Sequence, residues 1–225
     1  MVDSQIHSRA SADRRMEAWD SYWEATRDRL GSGPGGFARW CLPFLKERAP
    51  GPRVLELGAG AGRDLQFFVE EALLVDGVES SQVALRIAES ALTGLPMSIR
   101  ERAKLIESDV HRFLAEVAPG SYDSVVGIVL YETMSEEELG ELFDRIHSRL
   151  RPGGLHLWCV RSSEYPLKSQ PWLIPPNRGS DAAPVPHRLF EVAETDALLK
   201  GRFERLRLED VSERHYLYIA DRRRE

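Results

Sequence analysis

The sequence predicts an α/β fold, a doubly wound and mostly parallel sheet with a C-terminal antiparallel hairpin and an N-terminal helical cap. Three observations carry that expectation: strand-like and helix-like runs alternate from Arg53 to Val160, a glycine-rich turn follows the first strand directly, and two alternating runs close the chain. Alternation of this kind places helices on both faces of the sheet through right-handed crossovers.

Each element has its own signal. Met16, Trp19, Trp23 and Leu30, with Tyr22 alongside, fall at the three- and four-residue steps of one helical face. The run Gly31-Ser32-Gly33-Pro34-Gly35-Gly36 breaks that helix. Phe37, Trp40, Cys41, Phe44 and Leu45 then resume the step until Pro50-Gly51-Pro52. Residues 1–50 therefore read as a helical cap on a main unit of residues 51–225, one compact body overall. Residues 53–57 form a first strand, residues 64–74 a helix and residues 74–79 a second strand, after which Ser80 or Ser81 caps the next helix. A third strand spans 104–109 and a short helix 110–117.

The mostly apolar run 122–130 fits a central strand covered on both faces. Ser135 and Glu138 form a capping box for a helix with its apolar stripe at Leu139, Leu142, Phe143, Ile146 and Leu150. Pro152-Gly153-Gly154 ends it, and residues 155–160 give a fifth strand. Six prolines between Arg161 and Arg188 predict an irregular excursion of the kind that covers a site. A short helix at 192–199 precedes the hairpin of 203–209 and 215–220, and Arg222-Arg223-Arg224 reads as a solvated tail.

Composition excludes several function classes. With 30 basic and 36 acidic residues the net charge is −6, so a nucleic-acid partner is not expected. No apolar run reaches membrane-span length, and no basic head precedes an apolar stretch at the N-terminus, which leads us to expect a cytoplasmic protein without a membrane partner. Cys41 and Cys159 are far apart and the six His show no ligand spacing, so neither a disulfide nor a metal site is expected.

The glycine turn carries the chemistry. Gly58, Gly60 and Gly62 follow a strand, but a dinucleotide fingerprint needs a glycine where Arg63 stands, and no Gly-Lys-Ser/Thr follows to cradle phosphates. Glu56, two residues before the first glycine, would repel a pyrophosphate and attract the ammonium of an amino-acid-like ligand.

The segment Val54-Leu55-Glu56-Leu57-Gly58-Ala59-Gly60-Ala61-Gly62-Arg63-Asp64 resembles motif I of the class I S-adenosylmethionine-dependent methyltransferases. Three further segments follow in the family's order: Gly77-Val78-Glu79-Ser80-Ser81, Glu107-Ser108-Asp109-Val110, and residues 122–130 with the later Leu150-Arg151-Pro152-Gly153-Gly154 turn. The resemblance implies the seven-stranded, Rossmann-like methyltransferase fold, with S-adenosylmethionine as cofactor and S-adenosylhomocysteine as product. It places Glu79 on the ribose hydroxyls and Asp109 on the adenine amino group. Glu56, Gly58, Ala59, Gly60, Asp64, Ser80, Val110 and Gly127 complete the expected cofactor site.

Within the family, the N-terminal Trp-x-x-Tyr-Trp pattern, the Gly-Arg-Asp ending of motif I and Leu189-Phe190-Glu191 are similar to the tellurite-resistance and thiopurine methyltransferase group. That likeness implies a small-molecule acceptor offering nitrogen, oxygen, sulfur or a metalloid. The stretch Gly127-Ile128-Val129-Leu130 departs from the Asn/Asp-Pro-Pro-Tyr signature of nucleic-acid and glutamine amide methylases. Tyr131, Glu132 and His187 are the candidate proton acceptors, and Trp19, Tyr22, Trp23, Tyr131, Tyr165 and Trp172 the candidate acceptor wall. A protein or peptide methylase and a silent cofactor-binding sensor or partner subunit are the competing functions. The chain is expected to act as a monomer or homodimer.

Overall fold

The computed structural model describes residues 16–26, 33–165, 172–174, 185–186 and 188–225. Helix α1 covers residues 16–26 and α2 Gly36–Glu47. Strand β1 (Arg53–Leu57), α3 (Arg63–Glu70), β2 (Leu74–Glu79), α4 (Gln82–Thr93), α5 (Met97–Arg100), β3 (Ala103–Glu107) and α6 (Val110–Glu116) follow. Next come β4 (Tyr122–Ile128), α7 (Glu136–Arg149) and β5 (Leu150–Arg161). The chain ends with β6 (Trp172–Ile174), β7 (Val185–Pro186), α8 (Val192–Leu199), β8 (Phe203–Val211) and β9 (Tyr216–Arg223).

The seven-stranded sheet has the order β3-β2-β1-β4-β5-β9-β8. β1 to β5 are parallel, and β9 joins β5 and β8 antiparallel. The expected doubly wound sheet with a terminal hairpin is therefore the fold. The order reverses between β1 and β4, the switch point outside whose carboxyl ends open α/β sheets bind ligands.

Side-chain alternation along the central strands makes two cores. Leu55, Leu57 and Val125 face α6, α7 and α8, meeting Leu114, Leu142, Phe143 and Leu199. Val54 and Val126 face the other way, toward α2 and α3, against Phe37, Cys41, Leu65 and Phe68. Every residue of β4 except Ile128 is buried, as the apolar run requires. Both cysteines are free and buried.

Several boundaries differ from expectation. α3 stops at Glu70, short of 74, because Ala72 turns left-handed at φ 68°. β5 begins at Leu150, not Leu155: the Pro-Gly-Gly turn lies inside the strand, where the pairing with β4 slips between Tyr122 and Ser124. β8 and β9 are longer than predicted, because Asp210 and Val211 keep pairing with Leu217 and Tyr216, and Asp221, Arg222 and Arg223 pair with Arg205, Glu204 and Phe203. The triple arginine is not a free tail: Arg223 lies in β9 and donates to the Leu150 carbonyl, and Arg224 Nε donates to that of Phe203 at 2.9 Å. The short helix α5 had no counterpart in the sequence reading.

Candidate active site

The glycine turn is pinned to β2. The amides of Gly58 and Ala59 donate to the Val78 carbonyl at 2.8 and 3.0 Å. Gly58, Gly60 and Gly62 all have positive φ, at 69°, 54° and 73°, so the turn follows a path that side chains disfavour.

Glu56, Asp64 and Glu79 gather around this turn, all buried. Glu56 Oε2 has no hydrogen-bond partner, and burial first, then Asp64 and Glu79, raise its pKa well above the ordinary carboxylate value. Such an acid fits a cationic ligand group that supplies the missing donor. Asp64 Oδ1 accepts from the Gly35 amide at 2.6 Å and ties the start of α2 to the site.

Glu79 is held by backbone donors. Its Oε1 accepts from the Ser80 and Ser81 amides, each at 2.8 Å, and its Oε2 from the Gly60 amide at 2.9 Å. Burial still raises its pKa, against the lowering effect of those bonds. A carboxylate oxygen has about two acceptor sites, so Oε2 retains capacity for a hydroxyl donor.

Ser81, rather than Ser80, caps α4, accepting from the Ala84 amide at 3.1 Å. Asp109 caps α6, accepting from the amides of His111 and Arg112 at 2.9 and 3.2 Å, and Val110 beside it is buried. Both lie just past the carboxyl ends of strands, Ser81 after β2 and Asp109 after β3, on one rim of the sheet.

Helix α1 lies over this rim. Its Trp19, Tyr22 and Trp23 form edge-to-face pairs with ring centroids 5.6 and 5.2 Å apart. Trp23 sits on Gly60 so closely that a Cβ there would come within 2.7 Å of the indole. The predicted acceptor wall and the predicted cofactor turn thus meet at this contact.

The candidates after β4 occupy different positions from those expected. Gly127 lets the Tyr131 phenol through, since a Cβ at Gly127 would lie 2.2 Å from its oxygen. Tyr131 is fully buried, bonded to His156 Nε2 at 2.9 Å and packed on Phe143 and Trp158, so it is a core residue and not an open proton acceptor or wall. Glu132 is also buried. It accepts from the Arg161 amide at 2.7 Å and from Arg161 Nη1 at 3.0 Å, while its own carbonyl accepts from the Arg188 amide at 2.9 Å. Burial, opposed by Arg161, raises its pKa to about 7. Glu132 therefore clamps the ends of β4 and β5 to the chain at Arg188. Tyr165 lies beside His215, with the Arg161 guanidinium 4.9 Å above its ring. His187 and the Trp172 side chain lie outside the described residues.

Three site features escaped the sequence reading. Val129, a β-branched residue at φ 57°, turns the chain sharply at the end of β4, with its amide donating to the Cys159 carbonyl at 2.9 Å. His215, at φ 54°, closes the β8–β9 connection with its carbonyl accepting from the Ser162 amide at 2.8 Å. Asp20 of α1 reaches Ser81 and Val83. None had a motif; the Trp-x-x-Tyr-Trp pattern around Asp20 was the one available signal.

Residues 54–154 match the methyltransferase domain family. Structural similarity extends further along the chain. The 1,6-didemethyltoxoflavin N1-methyltransferase of Burkholderia thailandensis, solved with 1,6-didemethyltoxoflavin and S-adenosylhomocysteine, superposes with a TM-score of 0.69 at 21% identity, covering 97% of this chain and 90% of that one. The glycopeptide N-methyltransferase MtfA, solved with S-adenosylhomocysteine, gives 0.64 at 18% identity over 91% and 97% of the two chains. Residues 54–154 thus carry a methyltransferase-domain pattern, within a fold shared with solved methyltransferases.

An S-adenosylmethionine-dependent methyltransferase from Methanosarcina mazei has a TM-score of 0.64 at 18% identity, covering 82% of this chain and 96% of that one. At these identities each likeness shows the fold. Among curated proteins the chain has no significant match. The unpartnered Glu56 carboxylate beside a bare glycine turn fits the ammonium end of an S-adenosyl ligand of the kind bound in those neighbours. Among the described residues no cluster of His, Cys, Asp and Glu suits a metal, and no helix is long and apolar enough to cross a membrane.

Proposed function

We propose that the protein methylates a small, flat acceptor held between the aromatic face of α1 and the carboxyl ends of β4 and β5. The observation that carries the reading is the seating of Trp23 on Gly60, which roofs the glycine turn and sets an aromatic face beside it. The neighbour acting on a toxoflavin precursor is consistent with it. Kinship with the tellurite-resistance and thiopurine group stands on the sequence motifs alone.

The cofactor supplies a methyl group on a sulfonium sulfur. Glu56 would hold its ammonium, Glu79 its ribose hydroxyls, and Asp109 with Val110 the adenine edge, with Ala59, Gly60 and Ser80 lining the path between. The bound cofactor would supply that methyl group to a lone pair of the acceptor. Charge disperses in that step, so alignment and exclusion of water do most of the work. Trp19, Tyr22, Trp23 and Tyr165 align the acceptor and shed water. An acceptor that arrives as a protonated nucleophile gives its proton to solvent at the mouth, because Tyr131 and Glu132 are engaged in the protein. The carboxylates around the turn and the net charge of −6 repel a phosphodiester chain, which favours a small acceptor over nucleic acid.

The test is turnover of S-adenosylmethionine with a panel of heteroaromatics, aromatic amines, phenols and thiols, reading S-adenosylhomocysteine and the methylated product by mass spectrometry. Turnover with members of this panel is the expected result. Methyl label appearing only in peptides or proteins overturns the small-acceptor reading.

A further inference from the structure

We propose that Asp20 is a positioning residue that couples docking of α1 to occupancy of the ribose site at Glu79. The proposal rests on the reading of Glu79 as the ribose carboxylate and adds to it a connection through Ser81.

Asp20 lies on α1, far in sequence from the sheet. Its Oδ1 accepts from the Ser81 hydroxyl and, at 3.2 Å, from the Val83 amide. The carboxylate therefore sits on the first turn of α4, a helix of 12 residues, where the free amides and the helix dipole favour negative charge. Ser81 faces both ways: its amide donates to Glu79 Oε1 at 2.8 Å while its hydroxyl donates to Asp20.

The second contact of α1 falls on the other side of the same carboxylate. Trp23 packs on Gly60, and the Gly60 amide donates to Glu79 Oε2 at 2.9 Å. The two footholds of α1 are thus two of the residues that aim Glu79. A ligand that fixes Glu79 also fixes Ser81 and Gly60, and a docked α1 fixes them in turn.

The rest of α1 packs apart from the sheet: Ala18, Trp19 and Tyr22 form a small cluster outside both main cores. A docked α1 roofs the turn, so an arriving cofactor needs α1 displaced and a bound one gains from its return. Coupling of this kind is reciprocal: the factor by which the cofactor favours docking is the factor by which docking favours the cofactor.

The experiment compares the wild-type protein with Asp20→Ala and Asp20→Asn, using S-adenosylhomocysteine as the probe. Calorimetry gives its affinity, and trypsin cleavage after Arg27 or Arg29 reports the freedom of α1. In the wild type, S-adenosylhomocysteine should slow that cleavage. In Asp20→Ala the affinity should fall about tenfold, within the usual range of coupling between sites, and the ligand should no longer slow cleavage. Asp20→Asn keeps an acceptor oxygen without the charge and should fall between the two. Thermal midpoints of the unliganded proteins should agree, because α1 stands outside both main cores, and this separates lost coupling from lost folding.

If Asp20→Ala binds the ligand as tightly as the wild type and is equally protected by it, the coupling is wrong while the cofactor site stands. If the wild type itself does not bind S-adenosylhomocysteine, the reading of Glu79 fails and the coupling fails with it.

Discussion

Glu56 shows how one residue can be a burden to the unliganded fold and an asset to its function. A buried acid with an unpartnered oxygen holds its proton more tightly in the folded than in the unfolded chain, so folded stability falls as pH rises above the ordinary carboxylate range. A cofactor ammonium reverses that preference and favours the ionised form. Binding of S-adenosylhomocysteine should therefore release a proton, seen as a binding enthalpy that varies with the ionisation enthalpy of the buffer. Glu56→Gln should abolish that dependence. It should also weaken binding about tenfold to a hundredfold, matching the loss of a charge-assisted bond of about 1.5–3 kcal/mol. Equal affinity in the variant would remove Glu56 from the ammonium site.

Glu56 and Glu79 were legible as carboxylates gathered at the glycine turn because strand ends and glycine turns leave a linear pattern. The misplacement of Tyr131 has a physical reason as well. A residue just past a central strand can turn outward to the crevice or back into the core, and the choice depends on a cavity built by β5 and α7. Gly127 supplies the opening, and His156, Phe143 and Trp158 supply the partners.

At the scale of elements, β4 and the helical turn after it work as one unit through that opening. Gly127→Ala places a Cβ where the Tyr131 oxygen lies, so Tyr131 must shift or β4 must bend. Overpacking of this kind costs about 1–3 kcal/mol, and urea unfolding should show it. Adding Tyr131→Phe removes the atom in conflict and should restore part of the loss. A loss unchanged in the double variant would mean that Gly127 matters for some other reason. The capping box at Ser135 and Glu138 formed as predicted, since both halves of that motif lie within one turn of chain. The start of β5 did not: Pro152, Gly153 and Gly154 stop most elements, but here Leu150 is already paired with Tyr122 and buried, and the strand absorbs the turn as a slip in register. Pairing with a distant strand decided that boundary, and a local signal could not reveal it.

At the scale of the whole molecule, buried titratable groups set the pH response. Burial raises Glu132 and Asp221 to about 7 and raises Glu56 and Glu79 above the usual carboxylate range, so the folded chain keeps protons that the unfolded chain has lost. Their combined effect is a stability that falls as pH rises from the ordinary carboxylate values toward about 7. His156 acts in the opposite sense: burial lowers its pKa to about 3, so stability is lost as pH falls from its ordinary value of 6.5 through about 3. Four raised acids outweigh His156 together with His111, whose pKa burial also lowers. The unliganded protein should melt at a higher temperature at about pH 5 than at about pH 8, and S-adenosylhomocysteine should narrow that gap by accepting an ionised Glu56. A midpoint that rises steadily from pH 5 to 8 without ligand would contradict this balance.

The sequence by itself determined the sheet, the two-faced core, the glycine turn and the carboxylates at the strand ends. Each of these rests on periodicity or on conformations that only certain residues adopt, and such information is local. Tertiary structure decided which aromatic ring roofs the turn, that Tyr131 and Glu132 turn inward, and that Asp20 meets Ser81 across a separation of 61 residues. Those outcomes depend on how helices and strands distant in sequence fill space against one another, and no pattern along the chain records that packing.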